Sequence, residues 1–297
     1  MSNSISRRTA LKASAALVTA TAAGLGSRLS AADQTLPGGL KGRVHHSVCK
    51  WCYPKVSLEE MCRAGKEIGL TSVELLQPSD FPTLKRHGLT CAMVSNPTVD
   101  GLGGITKAWN RVEHHDRLVD VYHRQIDAVA EAGMTNLICF SGNRDGLDDA
   151  KGIENCALGL KRILARAEEK KVTLVMELLN SRVDHHDYQC DHSAWGIELC
   201  KRIGSERFKL LYDIYHMQIM EGDVIATIRR SHAYFAHYHT GGVPGRHEID
   251  DTQELHYPAI LKAIVETGFQ GHVAQEFIPA RPDVLASLKQ GVQLCDA

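Results

Sequence analysis

Four side chains that could bind a metal ion each follow a short apolar run in the second half of the chain. They are Glu177, Asp213, His239 and Glu276. Burying a carboxylate costs free energy unless a cation or hydrogen-bond donors compensate its charge. Three oxygen ligands and one nitrogen ligand suit Mn²⁺, Mg²⁺ or Co²⁺ and leave coordination positions for substrate oxygens. If the fold brings the four together, they predict a site for one divalent metal ion.

A plainer explanation exists for each of these acids taken singly. A carboxylate at the end of a strand can cap the helix that follows, or it can pair with a nearby arginine. That explanation is less economical for four successive runs, because three carboxylates around one opening would repel one another without a cation. The repeated pattern therefore favours the metal site.

The elements that would position these residues alternate between strand and helix. Eight short apolar or β-branched runs, of the type buried in a parallel sheet, are predicted strands. They span residues 44–48, 72–75, 90–94, 136–140, 173–177, 208–213, 236–239 and 272–276. The segments between them carry apolar residues at helical spacing, for example Ile153, Cys156, Leu160 and Ile163. A short helix is also predicted around Phe81–Arg86.

Eight strand–helix units predict an α/β chain that forms a single (β/α)₈ TIM barrel over residues 43–297. A doubly wound open sheet is the alternative. It would usually have fewer strands, and no G-x-G-x-x-G or P-loop motif follows the first predicted strand. In a barrel the carboxyl ends of all strands meet at one mouth. The barrel would therefore bring the four candidate ligands together there.

The amino-terminal residues 1–32 have the three parts of an export signal. Arg7-Arg8 precedes an apolar, alanine-rich run over residues 13–25, and Ser30-Ala31-Ala32 offers small residues for cleavage. The paired arginines resemble the twin-arginine signal, with Ala10 where that signal usually has Phe. The apolar run is shorter than the roughly 20 residues that span a bilayer. We expect a twin-arginine-type signal peptide, export to the periplasm and no stable membrane span.

The composition excludes several classes of protein. The chain has 297 residues, 43% of them hydrophobic, with 34 Lys+Arg against 35 Asp+Glu and a formal net charge of −1. This balance is typical of a globular protein and, without a basic block, indicates no nucleic-acid partner. The nine cysteines are odd in number and unpatterned, which does not indicate a disulfide framework. Cys49 and Cys52 form a lone C-x-x-C motif that we interpret as structural.

Four sequence blocks around the candidate ligands resemble the xylose-isomerase-like barrels. They are Glu177 to Asn180, Asp213 to Gln218, His239 to Glu248 and Gln275 to Pro279. Within that superfamily the blocks are similar to hydroxypyruvate isomerase and the ketose 3-epimerases. The resemblance covers essentially the whole chain after the signal and is strongest from residue 172 onward. It implies that Glu177, Asp213, His239 and Glu276 hold one divalent metal ion, Mn²⁺, Mg²⁺ or Co²⁺.

The resemblance also implies an activity and the residues that perform it. The chain would be a metal-dependent isomerase of the hydroxypyruvate isomerase type, interconverting aldose- and ketose-type groups of a small hydroxycarbonyl or sugar substrate. The proton would move through a metal-stabilised enediolate. Glu177 and Glu276 would be catalytic, transferring the proton while they bind the metal. His216 would hydrogen-bond a substrate oxygen, and Arg246 would bind a terminal carboxylate or hydroxyl.

Other functions stay open at this point. His239 is typical of the ketose 3-epimerases, since hydroxypyruvate isomerases tend to carry Gln at that position. A lyase that eliminates the aglycone of a 3-keto-glycoside would use the same enediolate chemistry, and a sugar-binding protein without activity is a further alternative. Metal-dependent phosphodiester cleavage usually needs a multi-metal residue set and a basic surface, and neither is evident. The sequence does not decide whether the barrels form a homo-oligomer.

Several other residues could line the site or serve packing. The clusters at residues 113–116 and 184–187 each contain adjacent histidines, whose rings point in different directions, and we interpret them as rim contacts or helix caps. One of His45 and His46 should point into the barrel and line the pocket. Three tryptophans could form walls for a sugar ring or pack in the core: Trp51, Trp109 and Trp195.

Overall fold

The computed structural model describes residues 37–297, in which strands and helices alternate. The strands are β1 (His45–Val48), β2 (Asn136–Cys139), β3 (Thr173–Glu177), β4 (Phe208–Asp213), β5 (Phe235–Thr240) and β6 (His272–Gln275). The helices are α1 (Leu58–Ile68), α2 (Phe81–Arg86), α3 (His115–Glu131), α4 (Asp149–Lys170), α5 (Ser193–Ile203), α6 (Ile214–Met220), α7 (Val224–Ser231), α8 (Tyr257–Glu266) and α9 (Val284–Leu294). The predicted signal peptide, residues 1–32, lies outside the described residues.

The six strands are parallel neighbours in one sheet, in the order β1-β6-β5-β4-β3-β2. Isolated parallel bridges then connect β1 to β2 through the chain between them. These bridges join Cys49 to Glu74, Ser72 to Thr90, Leu76 to Val94, and Val94 to Leu137. Backbone pairing thus continues through residues 72–76 and 90–94. The chain has an α/β, TIM-barrel-like fold with six regular parallel strands.

Two of the eight predicted strands, residues 72–75 and 90–94, form bridges and not regular strands. Leu75 adopts a left-handed backbone conformation, with φ of 56°, which interrupts an extended ladder. Single backbone hydrogen bonds persist on either side, from Val73 N to Thr90 O at 3.2 Å and from Leu75 N to Met93 O at 2.9 Å. The other six predicted strands agree with the observed ones to within one residue at each end.

The helices cover the sheet with the faces that their apolar spacing predicts. The buried residues of α4 include Ile153, Cys156, Leu160 and Ile163, as expected from the sequence, and the short helix α2 is confirmed. All nine cysteines lie among the described residues, where they are buried and unpaired. Within residues 37–297, no helix combines the length and the apolar character needed to cross a membrane.

Candidate active site

The four candidate ligands converge at the carboxyl end of the sheet. Glu177 and Asp213 are the last residues of β3 and β4, His239 is the penultimate residue of β5, and Glu276 follows β6 directly. Asp213 and His239 are register partners on neighbouring strands, so their side chains leave the sheet side by side. One ligand atom from each of the four lies within 4.8 Å of the others, and all four residues are buried. Their roles in metal binding and catalysis stay predictions.

His239 is the centre of this group. Its Nδ1 atom lies 2.6 Å from Glu276 Oε2, 3.4 Å from Glu177 Oε1 and 4.0 Å from Asp213 Oδ2. Among the described residues, Nδ1 has no hydrogen-bond partner of acceptable geometry. A buried nitrogen that faces three carboxylates without a hydrogen bond is suited to a cation placed between them.

Asp213 caps a helix with one carboxylate oxygen and turns the other toward the shared site. Its Oδ1 accepts a hydrogen bond from the backbone N–H of His216 at 3.1 Å and so caps α6. Its Oδ2 points to the shared site and accepts from Arg246 Nη2 at 2.8 Å. The helix cap is therefore real but uses only one of the two carboxylate oxygens.

Arg246 lies in the loop after β5 and reaches across the site. One guanidinium nitrogen, Nη2, contacts both Asp213 and Glu276, while Nη1 donates to His216 Nε2 at 2.7 Å. The Nε atom donates to the backbone oxygen of Glu276 at 3.0 Å. Aromatic rings of Trp51 and Tyr215 lie 5.6 and 5.0 Å from the guanidinium carbon. Protein groups therefore hold the guanidinium group of Arg246 on several sides.

The three tryptophans divide between the two uses expected of them. Trp51 lines the cavity, with 47% of its surface exposed, and its indole N–H donates to Glu276 Oε1 at 2.8 Å. Trp109 is buried against Tyr122 at a ring distance of 5.1 Å, and Trp195 is buried within the core. Only Trp51 could therefore contact a ligand.

His216 faces the site from the first turn of α6. Besides Arg246, its other ring nitrogen, Nδ1, lies 2.6 Å from Asn180 Nδ2, and Asn180 in turn donates to Asp184 at 2.6 Å. The neighbouring His185 ring lies 5.3 Å from the His216 ring and also lines the cavity. The cluster at residues 184–187 thus reaches the rim of the site.

Two predicted positions lie away from the site. In the cluster at residues 113–116, His114 Nδ1 is 3.0 Å from the backbone oxygen of Ala108, and His115 Nε2 is 2.9 Å from that of Trp109. These contacts hold the chain before α3. The expectation that His45 or His46 lines the pocket was wrong: neither lines the cavity, because both stand at the amino end of β1, opposite the mouth.

The sequence reasoning missed Glu74 and His237, which lie directly behind His239. Glu74 is fully buried, and its Oε1 lies 2.7 Å from His237 Nε2 and 2.9 Å from His239 Nε2. A signal was available in each case. Glu74 is a single acid inside the apolar run Val73-Glu74-Leu75, and His237 precedes His239 by two residues, which places both on one face of β5.

Burial and neighbouring charge act in opposite directions on the carboxyl groups. Burial raises the pKa of Glu177 and raises that of Asp213 to about 7, although Arg246 opposes the change at Asp213. Burial would also raise the pKa of Glu276, but His239 and Arg246 hold it well below its usual range. Burial, followed by the charge of Arg246, lowers the pKa of His216, which keeps that imidazole neutral.

The residues present fit a divalent metal ion. Three carboxylates and one imidazole nitrogen form a hard, oxygen-rich donor set of the type that binds Mn²⁺ or Mg²⁺. The Nδ1 atom of His239, which has no hydrogen-bond partner among the described residues, would supply the nitrogen ligand. The donor set alone does not distinguish these ions from Co²⁺.

A cavity of about 410 Å³ opens beside the four residues. Its polar lining residues are Ser95, Asn96, Glu177, His185, His216, Arg246 and Glu276. Its apolar side is formed by Leu75, Ile105, Ile138, Phe140 and Leu179, with Trp51 near the opening. A small ligand bound there would have the candidate ligands at one end and an apolar wall along its length.

Comparison with known proteins decides the family. The family model described as the xylose isomerase-like TIM barrel matches residues 62–294. The chain belongs to this family. A human protein named putative hydroxypyruvate isomerase is 30% identical over 254 residues, which cover 80% of this chain and 90% of the relative.

Two further similar proteins show how much of the chain is shared. A protein of Cupriavidus necator named 2-oxo-tetronate isomerase is 34% identical over 127 residues, which cover 43% of this chain and 46% of the relative. The match thus spans about half of that relative's length. A crystal structure titled AP endonuclease, family 2, from Brucella melitensis has a TM-score of 0.73 and 26% identity, covering 85% of this chain and 98% of that one.

Proposed function

We propose that the protein is a metal-dependent isomerase of the hydroxypyruvate isomerase type, acting on a small compound with adjacent hydroxyl and carbonyl groups. The observation that carries the proposal is the buried group of Glu177, Asp213, His239 and Glu276, which lies at the end of a ligand-sized cavity. The names of the human and Cupriavidus necator relatives point to the same reaction class.

Two glutamates of the site would move the proton. Glu177 and Glu276 both line the cavity, so a substrate bound there lies within reach of either carboxylate. Glu276 is held by Arg246 and by the Trp51 N–H as an anion, the form that can accept the proton from carbon. Glu177 has no arginine within ion-pair distance among the described residues, which suits it to carry and return a proton.

The remaining polar residues would hold the substrate oxygens. A divalent ion bound by the four ligands would polarise the carbonyl and stabilise the negative charge that develops on its oxygen. His216, kept neutral by burial, lines the same space, and a substrate oxygen would bond its Nε2 in place of the contact with Arg246 Nη1. Arg246 holds Asp213 and Glu276 in place and presents the remaining surface of its guanidinium to the cavity.

Solvent-deuterium exchange tests the proposal. The purified protein, reloaded with Mn²⁺ or Mg²⁺, is incubated in D₂O with hydroxypyruvate, free ketoses and 3-keto-glycosides, and deuterium at the carbon next to the carbonyl is followed by NMR. We expect exchange with at least one compound, and its loss in Glu177→Gln and Glu276→Gln. Failure of every compound to exchange would contradict the proton-transfer mechanism.

A matched control separates chemistry from folding in that experiment. Asp191 is buried and paired with Arg144 at 2.9 Å, as Asp213 is paired with Arg246, but it does not line the cavity. Asp191→Asn should therefore keep the exchange rate within about twofold, since it removes no group from the site.

The cavity supports a second candidate substrate class, larger and uncharged. Arg246 is the single arginine or lysine among the described residues that line the cavity, and its nitrogens already contact Asp213, Glu276 and His216. The opposite wall is apolar, and the volume of about 410 Å³ exceeds what a three-carbon acid fills. These features suit a ketose 3-epimerase, or a lyase acting on 3-keto-glycosides, as the second candidate.

The same exchange panel distinguishes the two classes. If the cavity selects larger neutral compounds, a ketose or a 3-keto-glycoside should exchange at least tenfold faster than hydroxypyruvate at equal concentration. Product analysis then separates inversion at the exchanged carbon from release of an aglycone. Faster exchange with hydroxypyruvate would favour the first candidate instead.

Export through residues 1–32 belongs to the proposal as well. The charged start, apolar run and small residues of that segment support recognition by the twin-arginine route. In a bacterium with a periplasm, the wild-type chain should appear there in shortened form. Replacing both arginines, Arg7→Lys with Arg8→Lys, should leave the full-length chain in the cytoplasm, as shown by fractionation and mass spectrometry. Equal fractionation of both forms would contradict this.

A further inference from the structure

The carboxylate of Glu74 lies behind the candidate metal site and joins two histidines of β5. It is fully buried, and its Oε1 is 2.7 Å from His237 Nε2 and 2.9 Å from His239 Nε2. A carboxylate oxygen that lies this close to two imidazole nitrogens accepts a hydrogen bond from each, so both Nε2 atoms carry their protons toward Glu74.

This contact decides which nitrogen His239 turns to the ligand group. Because Nε2 donates to Glu74, Nδ1 is the ring atom that faces Glu276, Glu177 and Asp213, and a metal ion bound there would take the place of its proton. With an ion in that position, the opposite tautomer would set an Nε2 lone pair against the oxygen of Glu74, 2.9 Å away, and would leave Nδ1 no lone pair for the ion. The buried carboxylate therefore favours one tautomer of the ring by a direct electrostatic interaction.

We propose that Glu74 is a positioning residue that prepares His239 to bind the metal ion through Nδ1. Its negative charge behind the ring also makes Nδ1 a stronger donor, as carboxylates behind metal-bound histidines generally do. His237 shares the same carboxylate oxygen and restrains its position. The inference rests on the metal dependence in the proposed function, and it assigns a role to a residue outside the four ligands.

The surroundings of Glu74 offer one competing arrangement. Cys49 Sγ lies 3.7 Å from His239 Nε2 and 3.9 Å from Glu74 Oε1, so these three atoms could themselves surround an ion. The short hydrogen bond from His239 Nε2 to Glu74 Oε1 favours the positioning role, because an ion bound by His239 Nε2 would have to displace that proton. Metal stoichiometry distinguishes the arrangements.

Metal affinity without substrate is the main test. Mn²⁺ binding to the metal-free full chain is measured by calorimetry for wild type, Glu74→Gln, Glu74→Asp and the control Asp191→Asn. We expect one ion per wild-type chain, a loss of about 10- to 100-fold in affinity for Glu74→Gln, a smaller loss for Glu74→Asp, and no change for the control. Thermal unfolding of each metal-free variant shows that it is folded.

A second measurement needs no variant and so does not depend on folding. In wild-type protein loaded with Mg²⁺ and labelled with ¹⁵N in histidine, the His239 ring should show a proton on Nε2 and none on Nδ1. A proton on Nδ1 in the loaded protein would overturn the inference, as would unchanged Mn²⁺ affinity in Glu74→Gln.

The remaining outcomes are also decisive. Two ions per wild-type chain, with one lost in Cys49→Ser, would make the cluster a ligand set and overturn the positioning role, as would a wild-type chain that binds no divalent ion. If Glu74→Gln weakens metal binding while no compound exchanges deuterium, the positioning role stands and the proposed isomerase activity fails.

Discussion

Arg246 sets the balance of charge in the candidate site. Three buried carboxylates converge there, and without compensation their mutual repulsion would protonate or expel at least one of them. The guanidinium contacts two of the three, Asp213 and Glu276, and lies against His216 as well. Its planar fork reaches all of them at once, which a single ammonium group cannot do.

Arg246→Lys is therefore expected to impair the site despite conserving the charge. Losing one charge-assisted hydrogen bond costs about 1.5–3 kcal/mol, so kcat/KM for an exchanging substrate should fall roughly 10- to 100-fold. Arg144→Lys, which alters the equivalent buried pair with Asp191, should change kcat/KM by less than about twofold. An Arg246→Lys protein with wild-type kcat/KM would show that the fork is dispensable.

The close approach of α4 to the chain around Trp109 and His115 depends on one glycine of α4. Gly159 faces Trp109 and His115, and a Cβ atom added at this position would lie 2.7 Å from Trp109 Cε3 and 2.7 Å from His115 Nε2. Both rings belong to the segment that leads into α3 and are buried. The glycine lets α4 pack against this segment.

Gly159→Ala should destabilise the fold even though alanine is the better helix former. Overpacking costs typically 1–3 kcal/mol, against a gain of about 1 kcal/mol in helix propensity, so we expect a net loss of about 1 kcal/mol in the free energy of unfolding. Gly104→Ala is the control, since no heavy atom lies within 4 Å of its added Cβ. Urea unfolding measures both, and equal midpoints would contradict the expected clash.

At the scale of the whole molecule, the two ends of the sheet have different chemistry. The carboxyl ends carry the ligand group and the cavity, whereas the amino ends carry histidines without a counterpart in the proposed mechanism. Burial lowers the pKa of His46 to about 4 and that of His272 to about 4, so both are neutral in the folded protein at pH 7. These histidines couple stability to pH without touching the active site.

Stability should therefore fall on acidification. The unfolded histidines titrate near 6.5, so their contribution is fully present above that pH and is lost as the pH falls toward 4, by at most about 3 kcal/mol each. His46→Gln removes one titrating group and should flatten the dependence of the unfolding free energy on pH between 6.5 and 4. His232→Gln, at an exposed position, should leave the pH dependence of the unfolding free energy unchanged. Urea unfolding at several pH values compares the three proteins.

The sequence by itself determined the alternating α/β pattern, six strands to within a residue, and the residues at their carboxyl ends. These are local properties: apolar runs of strand length are visible in any window, and parallel strands place their ends at one edge. The convergence of Glu177, Asp213, His239 and Glu276 followed from that rule. The family resemblance extended it to Arg246 and His216, both of which the structure places at the cavity.

Only the tertiary structure decided which other groups meet there. Glu74 contacts His237 and His239, although more than 160 residues separate them from it in the sequence. This contact depends on strand register and on the direction of each side chain. The left-handed backbone of Leu75 reduces a predicted strand to bridges, which the apolar pattern cannot reveal. The spacing of apolar residues predicts which face of a strand or helix a residue occupies. Packing across the barrel decides which residues it contacts there.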